Sequence, residues 1–192
     1  MDDVDRKVIS QLQTDDGRRR TSFRALGKII GYTSMGAKKR VEKLLSDKAI
    51  KISTQMNPKH FKLCAAVVLI ETNGPENMQR LLKRFEDCPR VLHIFTTIGR
   101  YNMIALVVAE NQETLENISM EQCSLRSDKG IRRSEFYPKR DIHYSPFIPV
   151  RENLTHRGLE VPPCNVDCKL CERYITKDFV RCPATEYYLG SL

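Results

Sequence analysis

Apolar positions recur at helical spacing at the start of the chain and gather into strand-like runs in its middle. Val4, Val8, Ile9 and Leu12 predict an amphipathic helix over roughly residues 2–13. Asp2, Asp3 and Asp5 crowd its first turn, where the helix dipole favours anions. Asp15-Asp16-Gly17 signals a turn, and Arg18-Arg19-Arg20 follows. Ser22 is the N-cap expected for a second short helix, with Phe23, Leu26, Ile29 and Ile30 turned inward and Gly31 at its end. Thr33 caps a third helix, whose inner stripe is Val41, Leu44 and Leu45. The outer face of that helix carries Ser34, Lys38, Lys39, Arg40 and Lys43. Its first turn is small: Ser34, Met35, Gly36, Ala37. Lys51 to Met56 alternates weakly, as a β wing would, and Asn57-Pro58 closes the module.

The middle of the chain changes period. Cys64 to Ile70 is a continuous apolar run of strand length. After Gly74-Pro75, the residues Met78, Leu81, Leu82 and Phe85 trace a helical face that ends before Pro89. Val91–Ile98 and Met103–Val108 flank Gly99-Arg100 and predict a hairpin. Leu115, Ile118 and Cys123 suggest a second helix, and Arg132 to Tyr137 alternate as a fourth strand. The order β-α-β-β-α-β is the ferredoxin-like arrangement.

Charge sharpens the reading of the first part. The net charge of +8 is concentrated there: residues 1–60 hold 14 Lys/Arg and 7 Asp/Glu, against 18 and 17 in residues 61–192. A local basic excess favours a polyanionic partner. Two short helices joined by a tight Gly turn, the second bearing small residues and then cations, make a helix-turn-helix. Small polar residues at the start of a recognition helix can approach base edges in a groove ~12 Å wide, while lysines further along reach phosphates. The candidate DNA-contacting residues are Ser22, Arg24, Thr33, Ser34, Met35, Lys38, Lys39, Arg40 and Lys43. Gly36 is unusual inside such a helix, since Gly costs roughly 1 kcal/mol of helix propensity relative to Ala.

These residues resemble a known family. Asp2-Asp3-Val4-Asp5 through Leu12, Asp16-Gly17-Arg18, Phe23-Arg24-Ala25-Leu26-Gly27, Ile30-Gly31-Tyr32-Thr33 and Arg40-Val41-Glu42-Lys43-Leu44 are similar to the DNA-binding half of the Lrp/AsnC (leucine-responsive, feast/famine) regulators. The ferredoxin-like order matches their ligand-sensing half, so the resemblance covers residues 1 to about 142. It implies double-stranded DNA as partner and a homodimer through sheet faces, often assembled further. It also implies a small effector, typically an amino acid, near the hairpin turn. The family shows Gly-x-Tyr/Phe-Asp there, and this chain has Gly99, Arg100, Tyr101 and Asn102. Asn in place of Asp removes a carboxylate that would pair with a ligand ammonium.

Residues 143–163, with Pro146, Pro149, Pro162 and Pro163, read as an extended linker. Beyond it, Cys164, Cys168, Cys171 and Cys182 bring four of the seven cysteines into nineteen residues. A segment this short cannot build its own core, so a cross-link is the natural source of order. Four clustered thiols in an intracellular chain point to a metal. Cys168 and Cys171 fit a zinc knuckle; an iron–sulfur cluster also takes four thiolates and suits Cys182-Pro183; disulfides or unmetallated thiols remain. A closed tetrahedral site is structural and leaves no open position for catalysis. The tail either stabilises the oligomer or senses metal or redox state.

Other classes find little support. Cys64, Cys88 and Cys123 lie in apolar or amphipathic contexts, as small buried hydrophobes do, and His60, His93 and His143 are scattered. There is no Ser/His/Asp or Cys/His constellation and no phosphate-binding Gly loop, which argues against an enzyme. No run approaches ~18 apolar residues and the start is acidic, so neither a membrane span nor a secretory signal is expected. The expected fold class is α+β, in four parts: a helix-turn-helix (winged-helix-like) domain over 1–60, a ferredoxin-like domain over 61–142, a linker over 143–163 and a cysteine-rich tail over 164–192. The expected function is a cytoplasmic, sequence-specific DNA-binding transcription regulator, a homo-oligomer tuned by an effector or by the tail. The alternative is a metal- or redox-sensing switch holding zinc or an iron–sulfur cluster.

Overall fold

The computed structural model describes residues 1–14, 21–120, 125, 128–151, 154, 158–166, 172–176 and 179–190. The Asp15–Gly17 turn, Arg18–Arg20, Cys123, Cys168 and Cys171 lie outside the described residues. The chain divides into two units, Met1–Ser53 and Thr54–Leu192.

The first unit is three helices: α1 (Asp3–Gln13), α2 (Phe23–Ile30) and α3 (Ser34–Ser46). Each begins on a side-chain cap that satisfies a backbone N–H lacking a helical partner. The Asp2 carboxylate accepts the Asp5 amide at 2.8 Å, Ser22 Oγ the Ala25 amide at 3.2 Å and Thr33 Oγ1 the Gly36 amide at 3.1 Å. Gly31 ends α2 in the left-handed conformation at φ 77°, which only Gly adopts without strain. One stripe per helix is buried: Val8 from α1, Leu26 and Ile30 from α2, and Ala37, Val41 and Leu44 from α3. Phe23, Ile29 and Leu45, expected inward, are exposed. Each of the last two stands next to a buried residue, about 100° away around the helix, and short helices bury one stripe only.

The second unit is the ferredoxin-like fold. Its elements are β2 (Cys64–Thr72), α4 (Gly74–Arg84), β3 (Val91–Thr96), β4 (Met103–Ala109), α5 (Gln112–Met120) and β5 (Ile131–Pro138). The antiparallel sheet runs β3-β4-β2-β5. Alternate residues Ala66, Val68, Ile70, Met103, Ala105 and Val107 point to one face and pack with Leu81 and Phe85 of the α4 side and Leu115 of α5. The other face leaves Val67, Phe95 and Tyr137 exposed.

Two expectations are corrected. The wing does not form on the helical module: β1 (Gln55–Met56) pairs with β6 (Ile148–Pro149) inside the second unit. The boundary therefore falls after Ser53 rather than at residue 60. The supposed linker is partly structured for the same reason. Ile148 joins Leu63, Leu92 and Val108 in a small second core, an apolar gain that an isolated wing would lack.

Asp128, just before β5, ties that strand to α4. It accepts Arg80 Nη1 at 2.7 Å, Arg84 Nη1 at 2.9 Å and the Gly130 amide at 2.9 Å. Its side chain is only 4 % exposed, and chiefly the Arg80 hydrogen bond pulls its pKa from 3.8 to about 2. The carboxylate thus stabilises the fold above its unfolded pKa, and that stabilisation is lost as pH falls through about 2. Asp128→Asn should remove about 2 kcal/mol at neutral pH. Urea unfolding at pH 7 and at pH 3 should show the wild-type advantage over the variant shrinking at the lower pH.

Candidate nucleic-acid interface, effector pocket and thiol cluster

The inner face of α3 is fixed in the core of the first unit by Ala37, Val41 and Leu44, so its other residues are forced outward. Ser34 and Met35 are exposed at its N-terminal end, and Lys38, Lys39 and Lys43 are exposed along it. Lys38 lies 3.6 Å from Glu42 in a solvent-exposed i,i+4 pair, which is too weak to hold the lysine back. Arg24 is exposed on α2. Ser22 and Thr33 carry the two caps already described and so serve the backbone.

Arg40 does not share the outer face. Its guanidinium turns to α1, where Nε donates to Asp5 Oδ1 at 2.7 Å and Nη2 donates to Asp2. The Asp5 amide, and then Arg40, hold the Asp2 carboxyl below the usual carboxylate range. A partner 35 residues away, on another helix, outweighs the local helical pattern. Gly36 also has a physical reason: a Cβ there would meet the Tyr32 ring at 3.2 Å and Thr33 Oγ1 at 3.3 Å. The tight turn into α3 fills the space that a side chain would need.

In the second unit, a pocket of about 420 Å³ opens between the start of α4 and the β3–β4 turn. It is lined by Gly74, Pro75, Met78, Thr96, Thr97, Ile98 and Asn102. Of the four turn residues, only Asn102 lines it. The Tyr101 hydroxyl donates to Glu135, while Gly99 and Arg100 are exposed. Hydrogen bonds from Tyr101 and then Tyr137 keep the Glu135 carboxyl below its ordinary range. Sequence reasoning missed Glu135, although its alternation with Tyr137 on one face of β5 was visible.

Asn102 is structurally engaged. The last β2–β4 backbone pair is Ile70 with Met103, so Thr72 lies beyond that ladder. Asn102 Oδ1 accepts the Thr72 amide at 2.9 Å, and Asn102 Nδ2 donates to Thr72 Oγ1 at 3.0 Å. Asp has no N–H to donate, so the Asn side chain suits this structural task better.

The tail is docked on the second unit. Arg90 and Glu110 form an ion pair with side chains 5 % and 6 % exposed, Arg90 Nη2 lying 3.0 Å from Glu110 Oε1. The same Nη2 donates to the Arg181 carbonyl, and Tyr188 donates its hydroxyl proton to Glu110. Leu159 pairs with Thr185, and Phe179, Ala184 and Tyr188 are buried. Core contact and hydrogen bonds therefore order the described part of the tail, which was expected to depend on a cross-link alone.

Of the four tail cysteines, Cys164 and Cys182 are described, and Cys182 lies within electrostatic reach of Cys164 and of Cys88. Burial pushes the Cys182 thiol up to about 12, and the Ala184 amide opposes this by facing its sulfur. Such a thiol ionises only with compensation, which a bound cation supplies. Among the described residues, no three His, Cys, Asp or Glu side chains form a ready-made metal site. Nor is any described helix long and apolar enough to cross a membrane.

Comparison with known proteins gives the lineage. Residues 65–137 match the Lrp/AsnC ligand binding domain. The uncharacterized HTH-type transcriptional regulator YezC of Bacillus subtilis is 30 % identical over 117 residues, which span 61 % of this chain and 81 % of that protein. The leucine response regulatory protein LrpA of Mycobacterium tuberculosis shares the fold with a TM-score of 0.64 at 22 % identity, covering 76 % of this chain and 97 % of its own. A transcriptional regulator of Neisseria meningitidis, solved as an L-Met complex, superposes with a TM-score of 0.63 at 13 % identity over 76 % of this chain and 93 % of its own. A helix-turn-helix followed by this sheet is thus the shared plan of transcription regulators rather than of enzymes, and the chain belongs to the Lrp/AsnC family of DNA-binding regulators.

Proposed function

We propose that the chain is a cytoplasmic, sequence-specific transcription regulator. It would act as a homodimer or higher oligomer, inserting α3 into the major groove of double-stranded DNA. The observation that carries this is the division of α3, with Ala37, Val41 and Leu44 locked inward and Lys38, Lys39 and Lys43 left in solvent. Ser34 and Met35 stand where base edges would be read, and the lysines where phosphates would lie. A second copy placed against the open sheet face, where Val67, Phe95 and Tyr137 are exposed, would present two such helices. Half-sites about one helical turn apart would then be read as a pseudo-palindrome.

The pocket beside Asn102 is the proposed effector site. The Neisseria relative holds L-Met, and a pocket of about 420 Å³ suits a ligand of amino-acid size. Among the described residues no carboxylate lines it, so ammonium recognition would rest on Asn102 and backbone carbonyls.

A second reading concerns the tail, where four cysteines within nineteen residues support a thiolate metal site, zinc or an iron–sulfur cluster. A metal-sensing switch on a DNA-binding regulator is compatible with the first reading.

Binding to a DNA site selected from a random pool tests the first reading. Lys38→Ala and Lys39→Ala should each weaken binding and flatten the slope of log K against log salt by about 0.9 for every α3 engaged, roughly 1.8 for a bound dimer. Unchanged slopes in both variants would reject α3 as the recognition helix. Arg40→Ala should separate from these: a lower thermal midpoint, because buried Asp5 loses its partner, with a smaller change in salt slope. Metal analysis of the purified full chain should find stoichiometric metal. Visible absorbance would mark an iron–sulfur cluster and a colourless loaded protein zinc, whereas a metal-free protein that binds DNA normally rejects the second reading.

A further inference from the structure

The turn between α2 and α3 is pressed against glycine on both sides. On α2, a Cβ at Gly27 would meet the Tyr32 carbonyl oxygen at 2.6 Å and the Thr33 carbonyl oxygen at 3.1 Å, so the backbone of the turn lies directly on that helix. The Tyr32 amide closes the turn by donating to the Gly27 carbonyl at 2.8 Å. On α3, a Cβ at Gly36 would stand 3.2 Å from Tyr32 Cδ1 and 3.5 Å from Tyr32 Cβ. The Tyr32 ring therefore lies along the first turn of α3, in the place a side chain would take. Its backbone is fixed to one helix and its ring to the other, yet the residue is 50 % exposed. Among the described residues, none shares a hydrogen bond with its hydroxyl. A tyrosine ordinarily has a polar partner for that end.

The place it occupies begins a row. Residues three, four and seven positions beyond Gly36 share its side of the helix. These are Lys39, Arg40 and Lys43. Arg40 turns to Asp5 on α1, which leaves Lys39 and Lys43 in solvent on that side. Tyr32 thus stands at the N-terminal end of a row whose free cations are the proposed phosphate contacts. Ser34 and Met35, the proposed base readers, leave the helix about 160° and 100° away from Gly36. Position on the helix therefore groups Tyr32 with the lysines.

We propose that Tyr32 is a further DNA-contacting residue, whose hydroxyl donates to a phosphate oxygen at the edge of the groove that α3 enters. Tyrosine hydroxyls are among the donors that proteins offer to the DNA backbone, and the anionic acceptor strengthens the bond. Gly36 serves the same contact. It leaves the ring its seat, and a methyl group there would push the ring by a few tenths of an ångström. A glycine inside the recognition helix then has a functional reason beside its packing one. This rests on the reading of α3 as the recognition helix, and the test separates the two.

The full-length chain and Tyr32→Phe are titrated, across a range of salt, with the duplex selected from a random pool and with an unrelated duplex of equal length. Losing the hydroxyl should weaken binding roughly tenfold for every α3 engaged. The factor should be the same on both duplexes, because a phosphate carries no sequence. The salt slope should match the wild type, since a hydroxyl neutralises no phosphate, and this sets Tyr32 apart from the lysines. The thermal midpoint should hold, because the ring stays. Unaltered affinity on both duplexes overturns the contact and leaves α3 standing as the recognition helix. A loss confined to the selected duplex overturns the phosphate assignment and makes Tyr32 a base reader. A wild-type chain that binds neither duplex, or α3 lysine variants with unchanged slopes, brings down the recognition helix and this contact with it. Gly36→Ala supplies a second arm that needs no change at Tyr32. It should weaken binding in the wild-type background and have little effect beside Tyr32→Ala. Equal losses in both backgrounds would count against a role for the ring.

Discussion

The buried pair of Arg90 and Glu110 is the constraint on which the less familiar half of this molecule rests. A buried ion pair costs less when further hydrogen bonds reach its two groups. Glu110 takes two nitrogens of Arg90, and the chain's last described segment adds the Arg181 carbonyl to the guanidinium and the Tyr188 hydroxyl to the carboxylate, leaving Arg90 Nε without a partner among the described residues. The pair sits where β3 begins and β4 has just ended, with the Arg90 carbonyl accepting the Val108 amide at 2.9 Å. A tail without much core of its own is thereby held by polar groups that the sheet domain needs filled. Deleting it would take the Arg181 carbonyl and the Tyr188 hydroxyl from this pair, so the described tail is part of the fold and not an appendage.

Much of this architecture was legible because local rules and global packing agree. Ser22 and Thr33 are caps by residue type and caps in fact, and the shift from helical to strand spacing near Cys64 marks the second unit. What escaped depended on partners distant in sequence. Arg40 is indistinguishable from its lysine neighbours until Asp5 is brought beside it. Gln55–Met56 looks like a wing until Ile148–Pro149 offers a better edge and a second apolar cluster to close. Phe23, Ile29 and Leu45 show the limit of stripe counting, since a short helix gives no way to choose between adjacent apolar residues.

The sites divide along the same line. The exposed lysines of α3 follow from spacing alone, because burying Ala37, Val41 and Leu44 leaves them no other direction. Asn102 was noticed as a missing carboxylate, and the structure gives its positive role: one amide oxygen and one amide nitrogen both used by Thr72. Cys88 read as a small buried hydrophobe, and it packs against the main core of the second unit.

The hydrogen bond from Arg90 to the Arg181 carbonyl has a mechanical consequence. The turn carrying Cys88 and Arg90 joins the C-terminal end of α4 to the start of β3. At the other ends of these two elements, Gly74, Pro75, Met78 and Thr96 line the pocket beside Asn102. Arg151 holds the same turn from another side, donating to the Val91 and Glu86 carbonyls. The turn is therefore hydrogen-bonded to Arg151 and, through Arg90, to the tail. A ligand acting at either end of α4 would do so only through differential affinity for two placements of the helix, and any such coupling is reciprocal.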